Sequence, residues 1–202
     1  MQTPRVLLIT DAAYPDETVL RVIEAAGRAL PRGAFAVQLR EKARPDRADW
    51  ARRLREATRS VGVSLVVNGD VSLAREVGAD GVHFGRNVPV VEAEGMWRSM
   101  VAHCDEDVVK ARERGVDAVL VSPIFASPGK GTPRGMAALV RARELSGEGL
   151  AVLALGGVDA EGARGCFRAG VSGVAVVRGL LGVVDPGAVA TRLWAAGQMS
   201  SD

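Results

Sequence analysis

Short apolar runs alternate with longer amphipathic stretches along the whole chain. Eight of the runs are nearly continuous in Val, Leu, Ala and Ile, which is the pattern of parallel strands covered on both faces. The predicted strands are Val6–Thr10, Ala34–Arg40, Ser64–Asn68, Gly81–Gly85, Met100–His103, Ala118–Pro123, Leu150–Leu155 and Val174–Val177.

Between these strands, apolar residues recur at three- and four-residue spacing, which predicts amphipathic helices. The predicted helices are Glu17–Leu30, Arg47–Val61, Val71–Val77, Asp105–Arg114, Gly135–Leu145, Ala160–Ala169 and Gly187–Ala196, with a shorter one at Val91–Trp97. Eight strand–helix repeats are typical of a closed (β/α)8 TIM barrel, and an open doubly wound sheet is the alternative. We expect a single domain over residues 1–202, in which 198–202 form a disordered tail.

The composition is that of a folded domain. The 202 residues are 48% hydrophobic and 25% charged, which excludes a disordered or fibrous chain. With only four Phe, three Trp and one Tyr, aromatic platforms for single-stranded nucleic acid are not expected. Lys and Arg total 26 against 24 Asp and Glu, and the two signs are interleaved, so we expect no nucleic-acid partner.

The cysteines and the lengths of the apolar runs bear on the cellular compartment. Cys104 and Cys166 have no paired spacing and form no metal motif with the two histidines, which favours free thiols in a reducing environment. The run Val6–Ile9 is too short for a signal peptide or an anchor, and no other run reaches membrane length. We therefore expect a cytoplasmic protein with no membrane partner.

Glycines follow the last two predicted strands. In TIM barrels the active site is built at the carboxyl ends of the strands, and here Gly156-Gly157 follows strand seven while Arg178-Gly179 follows strand eight. Glycine lets backbone N–H groups approach an anion, and these two loops are the usual phosphate position of the fold. The sequence thus predicts a small phosphate ester as substrate. The alternative is that these glycines only terminate strands.

Strand two supplies polar and cationic side chains to the same end of the barrel. Alternation places Gln38, Arg40 and Lys42 on one side of the strand, and Lys130 after strand six adds another cation. We expect these residues to bind a second anionic group of the substrate. The alternative is that the cations are solvated or paired with Glu41.

The two histidines differ in their predicted positions. His103 ends strand five, where an imidazole can give or take a proton near neutral pH, so we expect it to be catalytic. His83 lies in the middle of strand four, and we interpret it as a structural residue.

Six segments match one known superfamily in order along the chain. They are Val6-Leu7-Leu8-Ile9-Thr10-Asp11, Gln38-Leu39-Arg40-Glu41-Lys42, Val77-Gly78-Ala79-Asp80-Gly81-Val82-His83-Phe84-Gly85, Ser122-Pro123-Ile124-Phe125 with Lys130, Ala154-Leu155-Gly156-Gly157-Val158, and Gly173-Val174-Ala175-Val176-Val177. Over about residues 6–181 the chain resembles the thiamine phosphate synthase and thiazole tautomerase superfamily. The resemblance implies one of two activities. A synthase joins a hydroxymethylpyrimidine diphosphate to a thiazole phosphate, with Mg2+ stabilising the departing pyrophosphate, and a tautomerase aromatises a thiazole carboxylate phosphate by moving a proton.

Two carboxylates distinguish these activities. The resemblance implies that synthases hold Mg2+ with an Asn-Asp pair after strand three and a Gln-Asp/Glu-Asp segment after strand four. Here the two stretches are Asn68-Gly69-Asp70 and Gly85-Arg86-Asn87-Val88-Pro89, so both carboxylates are replaced and Mg2+ should bind poorly. The Asn-Gly pair and His103 are similar to the tautomerase branch. The resemblance also makes Asn68, Ser127 and Lys130 substrate-binding residues.

We therefore predict an isomerase, a thiazole tautomerase that needs neither a metal nor another cofactor. Its substrate phosphate lies on the loops after strands seven and eight, and His103 moves the proton. Arg40, Lys42 or Lys130 neutralises the ring carboxylate and the charge that develops during proton transfer. The alternatives are a Mg2+-dependent thiamine phosphate synthase, which is a transferase, and a barrel that binds a thiazole or thiamine phosphate without turnover. The resemblance is also compatible with a homodimer.

Overall fold

A closed barrel of eight parallel strands forms the centre of the molecule. The computed structural model describes residues 1–86, 93–127, 129 and 131–198. The strands pair in chain order and β8 returns to β1, which confirms the TIM barrel and excludes the open sheet. The strands are β1 (Val6–Ile9), β2 (Phe35–Leu39), β3 (Ser64–Asn68), β4 (Gly81–Phe84), β5 (Trp97–Ala102), β6 (Ala118–Val121), β7 (Ala151–Leu155) and β8 (Gly173–Val176).

Helices cover the outside of the barrel. They are α1 (Asp16–Ala29), α2 (Arg47–Ser60), α3 (Val71–Glu76), α4 (Asp105–Glu113), α5 (Gly135–Ser146), α6 (Ala160–Arg168), α7 (Arg178–Leu181) and α8 (Pro186–Ala195). The four residues of α7 are too few to show a helical period, which is why the sequence pattern does not predict this helix.

The predicted helix Val91–Trp97 is wrong where the structure describes it. Residues 93–96 form a turn, β5 begins at Trp97, and residues 91 and 92 lie outside the described residues. The strand starts before the predicted Met100 because Arg98 and Ser99 interrupt its apolar run. In the structure Trp97 packs inside the barrel, so this strand alternates rather than being apolar throughout.

Strand alternation divides the core into two layers. One layer fills the barrel interior and consists of Leu7, Ile9, Ala36, Val66, Trp97, Ala118, Leu120, Leu153 and Ala175. The other lies between the strands and the helices, and includes Val37 and Leu39. Because side chains two residues apart share a face, Gln38 and Asn68 continue the interior rows of Ala36 and Val66 toward the carboxyl ends of the strands.

The described part of the chain ends in a short turn after α8. Gln198 donates its backbone N–H to the carbonyl of Ala195 at 2.9 Å, and the rest of the tail predicted at 198–202 lies outside the described residues. Among the helices that the structure describes, none is both long and apolar enough to cross a membrane.

Candidate active site at the barrel mouth

A cavity of about 540 Å3 opens at the carboxyl ends of β1, β7 and β8. Several residues predicted from the sequence line it together: Arg40, Ser127, Gly156, Gly157, Arg178 and Gly179. Small-molecule sites have volumes of roughly 300–1,000 Å3, so the cavity has room for a substrate of that class. Asp11 and Tyr14, which the sequence analysis did not select, also line it. The position of Asp11 directly after strand one was the signal for including it.

Gly157 is required by the packing of the loop after β6. Its φ is +65°, and a Cβ atom on it would lie 2.5 Å from the carbonyl oxygen of Ala126, so no larger residue fits. The backbone N–H groups of Gly157, Arg178 and Gly179 donate to no backbone acceptor within the described residues. A structural role for these glycines and a role in phosphate binding are therefore compatible. The loop packing requires glycine, and it also leaves backbone N–H groups available to an anion.

Arg178 connects the loop after β8 to the loop after β6. Its Nη2 donates to the Ser127 hydroxyl at 3.3 Å, and the arginine side chain is otherwise exposed at the mouth. Lys130, predicted to bind substrate from the same loop, lies outside the described residues, and its role stays a prediction.

Arg40, which follows β2, pairs with Asp11 rather than with Glu41, the partner suggested by the sequence analysis. Glu41 forms a hydrogen bond with the buried Thr10 hydroxyl, while Arg40 pairs with Asp11 at 2.9 Å. Among the ion pairs of the described residues, none involves Lys42. Within the described part of the chain, no carboxylate thus compensates the positive charge of Lys42.

Lys42 reaches across to the end of β3. Its Nζ lies 2.8 Å from the place that a Cβ atom on Gly69 would occupy, and Gly69 has a φ of +71°. Asn68 connects the same two strands, because its Nδ2 donates to the carbonyl oxygen of Arg40 at 3.1 Å. The ends of β2 and β3 thus form one polar surface.

Two buried polar side chains lie deeper in the barrel. Gln38 is 2% exposed, and its Oε1 has no hydrogen-bond partner in the described part of the chain. His83 Nδ1 lies 2.9 Å from the Ser99 hydroxyl. Burial, together with the nearby Lys42 ammonium, lowers the pKa of His83 to about 4, so the ring is neutral at physiological pH. The alternation of His83 with the outward-packed Val82 and Phe84 was the signal that it faces the interior.

His103 is exposed at the end of β5, next to the mouth. Its Nδ1 lies 2.9 Å from the carbonyl oxygen of Ser122; a carbonyl only accepts, so the neutral ring carries its proton on Nδ1 and leaves Nε2 for a substrate. The His103 backbone N–H donates to Asp107 at 2.9 Å. Burial opposes ionisation of Asp107, but hydrogen bonds from the His103 backbone and from Arg86 lower the pKa of this carboxyl.

The described residues do not fit a Mg2+ ion at the mouth. No group of three or more His, Cys, Asp or Glu residues among them is arranged to hold a metal. Asp70, next to Gly69, is already engaged: one oxygen accepts from the backbone N–H of Leu73 at 2.9 Å, and the other pairs with Arg47 at 3.0 Å. The stretch 87–92 lies outside the described residues, and its only carboxylate is Glu92.

Comparison with known proteins finds relatives that are named as synthases. The TMP-TENI family, described as thiamine monophosphate synthase, matches residues 6–180. A thiamine-phosphate synthase of Chloroflexus aurantiacus is 35% identical over 94% of this chain and 90% of its own length. The thiamine biosynthesis bifunctional protein ThiM/ThiE of Symbiobacterium thermophilum is 37% identical over 91% of this chain, which spans only 38% of that protein. The thiamine phosphate pyrophosphorylase from Pyrococcus furiosus has a TM-score of 0.82 and 25% identity, over 98% of this chain and 97% of that one.

These similarities correct the predicted activity. The relatives are named as synthases, and nothing among them favours a thiazole tautomerase, so the prediction of an isomerase is wrong. That prediction gave two replaced positions, Gly69 and the segment after β4, more weight than the similarity along the rest of the chain. The expected absence of a cofactor is not confirmed either, because the family resemblance implies Mg2+. A phosphate-ester substrate agrees with the relatives, whereas a homodimer, the lack of a nucleic-acid partner and a cytoplasmic location stay predictions.

Proposed function

The chain belongs to the thiamine monophosphate synthase family, and from this we propose that it is a transferase that makes thiamine phosphate. The observation that carries the proposal is the match to the Chloroflexus aurantiacus synthase, which extends over most of both proteins. The substrates that the family resemblance implies are a hydroxymethylpyrimidine diphosphate and a thiazole phosphate. Both are phosphorylated, which agrees with a mouth that offers anion-binding groups on two sides.

The reaction is a substitution at carbon. The lone pair of the thiazole nitrogen forms a bond to the methylene carbon of the pyrimidine, and the bond from that carbon to the diphosphate oxygen breaks. The bonding electrons leave with the diphosphate, so negative charge accumulates on the leaving group. Groups that stabilise this charge more strongly in the transition state than in the bound substrate accelerate the reaction.

The thiazole phosphate is assigned to the glycine side of the mouth, which comprises Gly156, Gly157, Arg178 and Gly179. Backbone N–H groups without backbone acceptors among the described residues, together with the exposed Arg178 guanidinium, supply donors for a phosphate. The cavity of about 540 Å3 beside them accommodates the ring. Loops after the seventh and eighth strands are also the common phosphate position of TIM barrels.

The pyrimidine diphosphate is assigned to the lysine side, which comprises Arg40, Lys42, Asn68 and Gly69, with Lys130 as a further predicted ligand. Lys42 has no ion-pair partner among the described residues, and Arg40 shares its charge with Asp11. Gln38 lies below them with an unpartnered Oε1, and an unsatisfied buried acceptor of this kind favours a substrate N–H group as its partner.

His103 is assigned to the leaving group. The Ser122 carbonyl oxygen accepts from Nδ1 of the imidazole, and Asp107 accepts from the His103 backbone N–H. Nε2 is thus the atom that can exchange a proton with the departing diphosphate. A His103→Gln variant keeps a polar side chain but cannot transfer a proton. We expect it to retain substrate binding and to lose turnover.

The experiment that tests the function is an assay of the purified chain with both substrates. We expect thiamine phosphate and inorganic pyrophosphate to form in equal amounts, and neither to form when one substrate is omitted. Binding of both substrates without any product would contradict the proposed enzyme and leave a binding protein.

A further inference from the structure

An ammonium group fills the place at the end of β3 where the family resemblance implies a metal-binding carboxylate. Gly69 has no side chain, and Lys42 Nζ and Cε lie 2.8 and 2.9 Å from the position of its missing Cβ. A side chain at residue 69 and the extended Lys42 side chain would compete for one volume. The glycine therefore makes room for the lysine.

The carboxylates nearest in sequence to this place are engaged elsewhere. Asp70 caps the start of α3 and pairs with Arg47, whose Nη2 also donates to the carbonyl oxygen of Asn68 at 2.7 Å. Asp11 pairs with Arg40. Both of these carboxylates are thus paired with arginines, whereas Lys42 has no ion-pair partner among the described residues.

Arg86 is the cation next to the second replaced carboxylate in the sequence, and its contacts are made away from the Gly69 position. Arg86 follows β4, and its Nε donates to Asp107 at 2.7 Å while Nη2 lies 3.3 Å from the Cys104 sulfur. It therefore supports the start of α4. Lys42 is left as a compact charge at the ends of β2 and β3, with no ion-pair partner among the described residues.

We propose that the Lys42 ammonium, in the space left by Gly69, neutralises the diphosphate in place of a metal ion, so that this chain binds pyrophosphate without a divalent cation. The proposal rests on the proposed synthase function, because pyrophosphate is the leaving group of that reaction. It makes Lys42 and Gly69 a matched pair, in which the charge of one depends on the absence of a side chain in the other.

Calorimetric titration of the full chain with inorganic pyrophosphate tests this pair directly. In EDTA, the unaltered chain should bind one pyrophosphate, and added Mg2+ should change the dissociation constant by less than about threefold. Lys42→Met keeps the length of the side chain without its charge and should weaken binding in EDTA by about tenfold or more. Lys110→Met, on the exposed face of α4, is the matched control and should bind like the unaltered chain.

A second pair of variants tests the role of Gly69. Gly69→Asp and Gly69→Asn place side chains of nearly equal size at the same positive φ, which Asp and Asn tolerate better than most residues. The aspartate should pair with Lys42, weaken binding in EDTA by about tenfold and restore it when Mg2+ is added. The asparagine should displace the Lys42 side chain as the aspartate does and weaken binding in EDTA by a similar factor, but added Mg2+ should not restore it, because the amide carries no charge for the ion.

The outcomes separate the two proposals. Pyrophosphate binding only in the presence of Mg2+, or unchanged binding by Lys42→Met in EDTA, would overturn the role of Lys42 and leave the synthase function standing. No pyrophosphate binding with or without Mg2+ would overturn both.

Discussion

The glycine side and the lysine side of the mouth bind anions by different means. On the glycine side, the loop after β6 packs closely against Gly157, and the donors are mainly backbone N–H groups whose positions are set by that packing. On the lysine side, the donors are long side chains whose positions depend on hydrogen bonds such as that from Asn68 to the Arg40 carbonyl. The difference teaches that the first site is built by the fold itself, whereas the second can be changed by single substitutions.

The largest effect is expected from Gly157→Ala. The new methyl group would contact the Ala126 carbonyl oxygen and hold alanine at positive φ, so we expect a loss of about 3 kcal/mol in the free energy of unfolding. Gly115→Ala has a similar φ of +59° but open space around the new methyl group, and it should lose only about 1 kcal/mol. Urea denaturation of both variants measures the difference. Equal losses would show that the β6 loop does not fix the glycine side.

The next largest expected effect is on the pH dependence of the free energy of unfolding. It involves His83, whose pKa depends in part on Lys42 of the lysine side. The pKa of His83 is lowered from its ordinary 6.5 to about 4 by burial and by Lys42, so between these values the unfolded chain binds more protons than the folded one. Stability is therefore lost as pH falls below 6.5, by about 2 kcal/mol between pH 7.5 and pH 5. His83→Gln should remove this loss, which urea denaturation at the two pH values will show.

His103→Gln provides the control for this pH effect. His103 is the other histidine of the chain and is exposed, so the loss of stability attributed to His83 should persist in this variant. A pH dependence that is the same with and without His83 would mean that the buried ring is not the responsible group.

A smaller effect is expected on KM, and it should differ between the two substrates according to the side of the mouth that is altered. Arg178→Gln should raise KM for the thiazole phosphate by about tenfold and leave KM for the pyrimidine diphosphate nearly unchanged, because one charged hydrogen bond is lost at one site. Arg40→Gln should do the reverse. Steady-state kinetics with each substrate varied in turn measures both constants, with Arg168→Gln on the exposed face of α6 as the control. A rise in both constants for either variant would show that the sides are not separate.

The smallest effect is expected from Ser127→Ala. Its hydroxyl accepts a hydrogen bond of 3.3 Å from the exposed Arg178, and a bond of this kind contributes about 0.5 kcal/mol. KM for the thiazole phosphate should rise about twofold, whereas Ser60→Ala, which removes an exposed hydroxyl far from the mouth, should leave it unchanged. A rise of tenfold or more would mean that Ser127 binds the phosphate itself.

The sequence predicted the barrel well because its evidence is repeated eight times. Strand β3 begins and ends where predicted, and the other strands except β5 differ by one or two residues at their ends. Strand β5 was the exception because the polar Arg98 and Ser99 hide its alternation. A repeated pattern tolerates one such miss, and so the fold was still predicted correctly.

The site was harder to predict because it depends on contacts between distant segments. The sequence predicted that Gly156, Gly157 and Arg178 lie at the mouth. It could not show that Glu41 forms a hydrogen bond with Thr10, so that Lys42 has no ion pair within the described residues. Nor could it show that Lys42 fills the space at Gly69. Without that contact, the loss of a carboxylate was interpreted as a change of reaction rather than as a change in the group that neutralises the diphosphate.

The most direct test of two separate anion sites is a titration with two ligands. Thiazole phosphate is titrated into the purified chain alone and into the chain saturated with inorganic pyrophosphate, and the heat of binding is followed. If the mouth has two separate anion sites, one thiazole phosphate should bind in both cases. Its dissociation constant should then change by less than about fivefold when pyrophosphate is present. Strict competition between the two ligands would contradict it, because it would mean that both anions bind at one place.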